Sequence, residues 1–256
     1  MQATIEPTAP PAELRPKPEP MRWYALTVFT LVYTMINIDR GILSVMIEPI
    51  KKEFHLNDSQ VGLLTGIAFA LFFGIAGIPF GRWTDRGNRK TVLGVSLLLF
   101  SLMTAACGLA GNFVHLLLAR MVVGAGEAGG GPTTISMTSD YFPPERRATA
   151  ISIYYLGSPL GQMITLFFGG MIISAYGWRS GFLAAGGLGL LLLTLIVLTL
   201  PEPQRRNQAG GLAGEAPPFK TTLSFILGQP ALICIFCTSM ITSAVSSANR
   251  PGRCPL

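Results

Sequence analysis

The chain has 256 residues, of which 50% are hydrophobic and only 12% are charged, and its formal net charge is +6. A mean hydropathy of +0.49 is far above that of a soluble domain with a solvated surface. The composition therefore argues against a soluble enzyme or soluble binding module and predicts a polytopic membrane protein.

Six apolar segments dominate the first 200 residues of the sequence. Residues 1–21 precede them, with six prolines in the first 20 positions, and are expected to form a disordered cytoplasmic tail. A signal peptide is not indicated, because the next apolar segment is too long and no cleavage site follows it. A membrane-spanning helix needs about 20 apolar residues. The segments that meet this length lie at 22–50, 60–82, 91–111, 113–141, 147–174 and 180–200.

The sequence changes character after the sixth segment. Residues 201–221, "PEPQRRNQAGGLAGEAPPFKT", are polar and rich in Gly and Pro, which predicts a cytoplasmic linker. Residues 222–256 hold a weaker apolar segment at 222–247 and end in "SSANRPGRCPL". They are expected to form a partial seventh helix and an atypical tail. The predicted fold class is therefore an all-α integral membrane protein with a six-helix bundle at 22–200.

The positions of the basic residues explain the positive net charge. Twelve lie in the tail, in the 82–90 and 146–147 loops and in the linker, whereas the opposite loops and the end of the chain hold five. The positive-inside rule then predicts a protein of the cell membrane with a cytoplasmic N-terminus. The basic charge is attributed to topology, and no nucleic-acid partner is expected.

Neither a metal site nor a cofactor is predicted. Cys107, Cys234, Cys237 and Cys254 lie mostly in apolar segments, and the pair in "CIFC" has no second pair to complete a metal site. These thiols are interpreted as small residues of membrane helices. Because no hydrolase or transferase constellation and no GxxxxGK[ST] loop is visible, neither an enzyme nor an ATP-driven pump is expected.

Four charged residues interrupt the apolar segments. Asp39 and Arg40 lie near the centre of 22–50, and Arg120 and Glu127 lie seven residues apart in 113–141, on one helix face. Each such charge costs about 2.5 to 3.5 kcal/mol on insertion scales, so these side chains are expected to face the bundle interior or a water-filled cavity. An Arg40–Glu127 pair is possible. The cluster either locks two helices together or forms a titratable cavity, and the second interpretation is favoured.

The loop at 81–90, "GRWTDRGNRK", carries a second group of candidate residues. Gly81 is expected to allow close backbone approach, and Asp85 suits the positive N-terminus of the following helix. Arg86, Arg89 and Lys90 are expected to hold the loop in the cytoplasm. Asp140, at the inner end of 113–141, is interpreted as interfacial.

Small residues suggest how the helices pack. The pairs Gly62/Gly66, Gly77/Gly81, Gly126/Gly130 and Gly157/Gly161 have the small-xxx-small spacing that lets membrane helices approach closely. Pro132 and Pro159 are expected to interrupt their helices locally.

The 81–90 loop resembles the G-x-x-x-D-R-x-G-R-K signature of the major facilitator superfamily, with Asn88 before the basic pair. Residues 120–126 resemble a second superfamily pattern, R-x-x-x-G-x-G, although Val123 replaces a common glutamine. "NIDRGILSVMIEPIKKEFHLNDSQVGLLTGIAFAL", "VGAGEAGG" and "SDYFPPERRATAISIYYLGSPLGQ" resemble the spinster-like branch. The resemblance covers residues 22 to about 203, which corresponds to the N-terminal half of that fold.

The resemblance implies a proton-coupled secondary transporter of lipid-like or amphipathic organic anions that works by alternating access. It assigns proton coupling and substrate binding to Asp39, Arg40 and Glu127, with Arg120 in the same cavity. It also implies a second six-helix half, supplied in cis, in trans or by a homodimer. Two alternatives remain: an anion:cation symporter of small organic acids, and a truncated or half-size membrane protein without transport activity.

Overall fold

A computed structural model describes residues 19–202, 228, 229 and 238. Residues 1–18 of the predicted tail, 203–221 of the linker and most of the predicted seventh segment lie outside the described residues. The chain divides into two units, Met1–Arg206 and Asn207–Leu256, and the helices given below belong to the first. All regular secondary structure in residues 19–202 is helical, which confirms the predicted fold class.

Each predicted apolar segment at 22–200 is a helix. Five of the six, all except α4, are long and apolar enough to cross a membrane. α4 is more polar because it carries Arg120, Glu127 and Asp140, but its 29 residues reach about 44 Å. The helices are α1 (Glu19–Phe54), α2 (Asp58–Arg86), α3 (Arg89–Gly108), α4 (Phe113–Tyr141), α5 (Pro144–Tyr176) and α6 (Trp178–Thr199).

Asparagine residues begin three of these helices. The side chain of Asn57 accepts from the amide of Gln60, whose own side chain accepts from the amide of Asn57. Asn88 and Asn112 cap α3 and α4 in the same way, each accepting from the amide three residues later. Such caps satisfy backbone donors that the first turn of a helix leaves unpaired. They allow the short connections that keep consecutive helices antiparallel.

Two helices contain irregular turns. α2 includes a π-helical turn at Leu63–Ile67, and α5 includes another at Thr165–Gly169. α5 is also interrupted at Leu156, three residues before Pro159, which cannot donate to the carbonyl of Tyr155. The expected break near Pro159 is therefore present. The expected break at Pro132 is wrong, because α4 continues through it.

α3 lies at the centre of the packing, against α4 on one side and α6 on the other, while α2 packs on α4 and α1 on α5. Glycines permit several of these contacts. A Cβ at Gly126 would lie 2.7 Å from the amide nitrogen of Phe100, and one at Gly161 would lie 2.6 Å from the carbonyl oxygen of Thr34. Packing by these α4 and α5 glycines is confirmed.

The α2 glycines behave differently. A Cβ added at Gly62, Gly66, Gly77 or Gly81 would meet no described atom within 4 Å. The prediction that these four glycines pack against another helix is therefore wrong for the described bundle, as is the close approach expected at Gly81. Their spacing is right for helix contact, but α2 meets α4 through another face.

Candidate functional site

The two consecutive charged residues of α1 point to different partners. Successive residues of an α-helix are rotated by about 100°, so Asp39 and Arg40 leave the helix in different directions. Asp39 is fully buried, whereas the Arg40 side chain is 49% exposed. One residue therefore belongs to the bundle interior, and the other lies at its surface.

Arg40 forms an ion pair with Glu127 of α4. Its Nε and Nη2 atoms both donate to Glu127 Oε2, at 3.0 and 2.7 Å. The Glu127 side chain is completely buried. The pair between spans one and four that the sequence permitted is thus present. It joins a buried carboxylate to a guanidinium that remains half accessible.

Asp39 forms a second and deeper pair with Arg120, also of α4. Arg120 Nη1 donates to Asp39 Oδ2 at 2.6 Å, and Thr104 of α3 donates to Asp39 Oδ1 at 3.0 Å. All three residues are buried. Both carboxylate oxygens are therefore occupied, as a buried charge requires. Sequence spacing did not identify this pair or Thr104.

Aromatic rings of α2 lie beside the guanidinium groups of Arg40 and Arg120. The guanidinium carbon of Arg40 lies 5.6 Å from the ring centre of Phe69 and 5.9 Å from that of Phe73. The guanidinium carbon of Arg120 lies 5.5 Å from the Phe69 ring centre. These distances lie within the cation–π range. Phe69 therefore contacts both ion pairs from a third helix, which charge spacing alone could not reveal.

Two polar atoms in the cluster are not satisfied. Among the described residues, Glu127 Oε1 and Arg120 Nε are buried without a hydrogen-bond partner. Buried polar atoms are paired in the great majority of cases. One oxygen of the buried carboxylate is consequently available to accept a hydrogen bond or carry a proton.

The second group of predicted residues lies at the end of the bundle where α2 meets α3, here called the α2–α3 end. Gly81, Asp85 and Arg86 still belong to α2, so the predicted ten-residue loop is reduced to Gly87 and Asn88. A Cβ at Gly87 would lie 2.8 Å from the carbonyl oxygen of Trp83. The position that needs glycine for close approach is therefore Gly87.

The first residues of α3 connect this end to α4 and α6. Arg89 forms an ion pair with Asp140, and the amides of Arg89 and Lys90 donate to the two carboxylate oxygens of Glu202 at 2.9 and 2.7 Å. Lys90 Nζ also donates to the carbonyl oxygen of Val197 at 2.8 Å. Asp140 is thus part of an ion pair at this end. The carboxylate that accepts from the α3 amides belongs to Glu202, which the sequence did not single out.

The fold and site define a class of protein. A bundle of membrane-spanning helices with paired charges halfway along two facing helices is a polytopic membrane protein with a candidate functional site inside the membrane. No group of three or more candidate metal ligands occurs within the described residues.

Comparisons with known proteins agree with this class. The Major Facilitator Superfamily profile matches residues 29–248. An MFS-type efflux pump of Mycolicibacterium smegmatis is 32% identical over 178 residues, 70% of this chain and 42% of the pump. The hexuronate transporter of Bacillus subtilis is 30% identical over 210 residues, 80% of this chain and 50% of the transporter.

A solved structure is also similar. The bacterial homolog of the human lysosomal transporter Spinster, in an inward-facing and occupied conformation, is 39% identical with a TM-score of 0.70. The match covers 74% of this chain and 46% of that structure. This chain belongs to the major facilitator superfamily, in the spinster-like branch. It spans about half the length of the relatives that it matches.

Proposed function

We propose that this chain forms the N-terminal half of a proton-coupled secondary transporter of organic anions that works by alternating access. The observation that carries the proposal is the Arg40–Glu127 pair, in which a half-exposed arginine is bound to a fully buried carboxylate. The complete site would lie between this bundle and a second six-helix half, in cis, in trans or in a homodimer.

The charges of the cluster suggest how protons and substrate are coupled. Asp39 and Glu127 balance Arg40 and Arg120, so the cluster is neutral when all four residues are charged. A proton on Glu127 would leave one net positive charge and weaken the bond to Arg40. Arg40 could then bind an anionic group of the substrate. The unpartnered Oε1 atom of Glu127 supports this role as a protonation site.

The α2–α3 end is proposed to control the conformational change. Gly81, Asp85, Arg86, Arg89 and Lys90 would form a switch that contacts the second half in one state and releases it in the other. The bonds from Arg89 and Lys90 to Asp140 and Glu202 support the proposal, because they link the start of α3 to the end of α4 and to the first residues of the linker.

Two substrate classes fit the site. Phe69 and Phe73 place aromatic surface beside Arg40, which favours an amphipathic or lipid-like anion. The similarity to a hexuronate transporter favours a small organic acid as the second candidate. Uptake measurements with a long-chain and a short-chain carboxylate would distinguish them, because only the first class gains affinity from apolar surface.

The protein is proposed to lie in the cell membrane with a cytoplasmic N-terminus, on the basis of the twelve-to-five distribution of basic residues. A single cysteine at Gln208, in a variant lacking the four native cysteines, should resist an impermeant thiol reagent in intact cells. Permeabilised cells provide the control for reactivity. Ready labelling of intact cells would reverse the proposed orientation.

Proton coupling is tested by removing the titratable groups. In a carrier completed with the C-terminal half of a spinster-like relative, Glu127→Gln should abolish uptake driven by a pH gradient while leaving membrane insertion unchanged. Asp39→Asn should also abolish this uptake without preventing insertion, although it leaves Arg120 buried without a charged partner and should lower stability as well. The exposed carboxylate variant Glu48→Gln is the control. Unchanged gradient dependence in both site variants would show that the cluster only holds α1 and α4 together.

A further inference from the structure

A second cluster of side chains lies two helical turns from the Arg40–Glu127 pair. Tyr33 precedes Arg40 by seven residues on α1, and Thr134 follows Glu127 by seven residues on α4. Seven residues bring a helix back to nearly the same face after about 10 Å. Because α1 and α4 run in opposite directions, Tyr33 and Thr134 lie at the same level, toward the α2–α3 end.

Three tyrosines lie together at this level of the bundle. They are Tyr33, Tyr154 and Tyr155, here called the tyrosine cluster. The rings of Tyr33 and Tyr154 are stacked with their centres 4.7 Å apart, and Tyr155 meets both edge to face at 5.5 and 5.4 Å. The Tyr154 hydroxyl is hydrogen-bonded to Thr134 at 3.0 Å. Tyr154 is buried, but Tyr155 is 47% exposed. The cluster therefore combines a buried, hydrogen-bonded ring, that of Tyr154, with an accessible ring, that of Tyr155.

Polar side chains connect the two levels. Asn37 lies between Tyr33 and Arg40 on the same face of α1, and its side-chain oxygen accepts from Ser158 of α5 at 2.9 Å. Gln162 in turn donates to Ser158 at 3.3 Å. This strip of partly exposed residues, running from the tyrosine cluster to Arg40, presents aromatic surface at one end and positive charge at the other.

We propose that the tyrosine cluster is a substrate subsite that binds the aromatic or apolar part of an organic anion whose acidic group lies at Arg40. The inference rests on the proposed function and specifies its substrate: the acid and the apolar body must be separated by about 10 Å. An anion is the occupant because Arg40 is the exposed charge at this end of the strip. Tyr155 supplies the accessible contact, and Tyr33 and Tyr154 hold its position.

The test compares two phenyl-substituted carboxylates that differ in the number of methylene groups between acid and ring. Binding of 6-phenylhexanoate and phenylacetate is measured by isothermal titration calorimetry on the carrier completed with the C-terminal half of a spinster-like relative, in which both halves of the proposed site are present. Tyr155→Ala should lower the affinity for 6-phenylhexanoate roughly tenfold, which is the upper range for one aromatic contact. The same substitution should change the affinity for phenylacetate less than about twofold. Tyr155→Phe should keep nearly all of the affinity, because the ring remains.

A matched control lies on the same helix. Tyr176 is 79% exposed at the opposite end of α5, so Tyr176→Ala removes an exposed tyrosine far from the strip and should change neither affinity. Arg40→Gln should lower the affinity for both probes, since both carry a carboxylate.

The outcomes separate the subsite from the proposed function. If Arg40→Gln weakens both probes while Tyr155→Ala and Tyr33→Ala leave 6-phenylhexanoate binding unchanged, the tyrosine cluster is not a subsite and the anion site stands. If neither probe binds, or Arg40→Gln changes neither affinity, the proposed anion site fails and the subsite fails with it.

Discussion

Neighbouring residues in this protein perform different tasks because a helix turns them apart. Asp39 is buried with Arg120 and Thr104, whereas Arg40 reaches the surface of the bundle with Glu127. A fully buried ion pair depends on both partners, since removal of one leaves an uncompensated charge. A half-exposed arginine can instead be solvated when its partner is lost.

This difference predicts unequal effects of two similar substitutions. Arg120→Met should destabilise the bundle by about 3 to 5 kcal/mol, because Asp39 would remain buried without its partner. Glu127→Gln should cost clearly less, because the partner that it leaves, Arg40, is half exposed and can be solvated. The temperature at which the purified protein loses its monodisperse gel-filtration peak measures both effects.

A double substitution provides the control. Asp39→Asn combined with Arg120→Met removes both charges and should recover much of the stability lost in Arg120→Met alone. Equal melting temperatures for Glu127→Gln and Arg120→Met would contradict the assignment of the Asp39–Arg120 pair as the deeper one.

Part of this site was predictable from the sequence. The cost of charges in an apolar segment indicated that Asp39, Arg40, Arg120 and Glu127 face inward or toward a cavity, and helical spacing placed the last two on one face. The sequence permitted an Arg40–Glu127 pair, but the Asp39–Arg120 pair was not predictable, because it depends on how α1 and α4 are juxtaposed. Thr104 carries no sequence signal at all, since a hydroxyl in a membrane helix usually bonds to its own backbone.

At the scale of elements, apolar length identified every helix of the bundle but not where each helix ends. The loop predicted at 81–90 is mostly helix, and α1 continues to Phe54. Hydropathy shows which residues lie in the hydrocarbon core of the membrane, which is about 30 Å thick. A helix can continue beyond this core and ends where its terminal backbone groups find other partners. A helix of 36 residues, such as α1, reaches about 54 Å.

The glycine spacing also fails to show which positions are packed against another helix, and this leads to a prediction. Gly161→Ala should destabilise the bundle by about 1 to 3 kcal/mol, because the new Cβ would lie 2.6 Å from a backbone oxygen of α1. Gly66→Ala is the matched control, since its Cβ would meet nothing within 4 Å. The helix propensity of alanine should leave that variant neutral or slightly stabilised.

Thermal unfolding of the two variants in the same detergent gives the comparison. The small-xxx-small spacing is identical at both positions, so the sequence alone assigns them equal roles. Equal loss of stability in Gly161→Ala and Gly66→Ala would mean that α2 packs through its glycines, contrary to the described bundle.

At the scale of the whole molecule, α2 and α5 present apolar surface that no other described helix covers. α2 exposes Ile67, Leu71 and Ile75 on the side away from the core, and α5 exposes Leu166, Phe167 and Met171. Lipid can cover such side chains, and so can another helical bundle. The half-exposed Arg40 side chain is different, because hydrocarbon cannot solvate it cheaply.

This contrast predicts what a polypeptide of residues 1–256 can do alone. It should insert in a membrane, since its helices are long and apolar enough. It should not carry out gradient-driven transport, because the proposed site needs a second half opposite Arg40 and Glu127. Reconstituted in vesicles, it should show no pH-driven flux of 6-phenylhexanoate, and co-reconstitution with a separately expressed C-terminal bundle of a spinster-like relative should restore the flux.

The Glu127→Gln variant, co-reconstituted with the same C-terminal bundle, is the control for leak, since it keeps the fold but loses the titratable group. Robust flux by the isolated polypeptide, absent in Glu127→Gln, would contradict the requirement for a different second half. Two copies of this bundle would then build the site between them, each covering the Arg40 face of the other, and a covalent cross-link between the two copies should abolish exchange between the two open states.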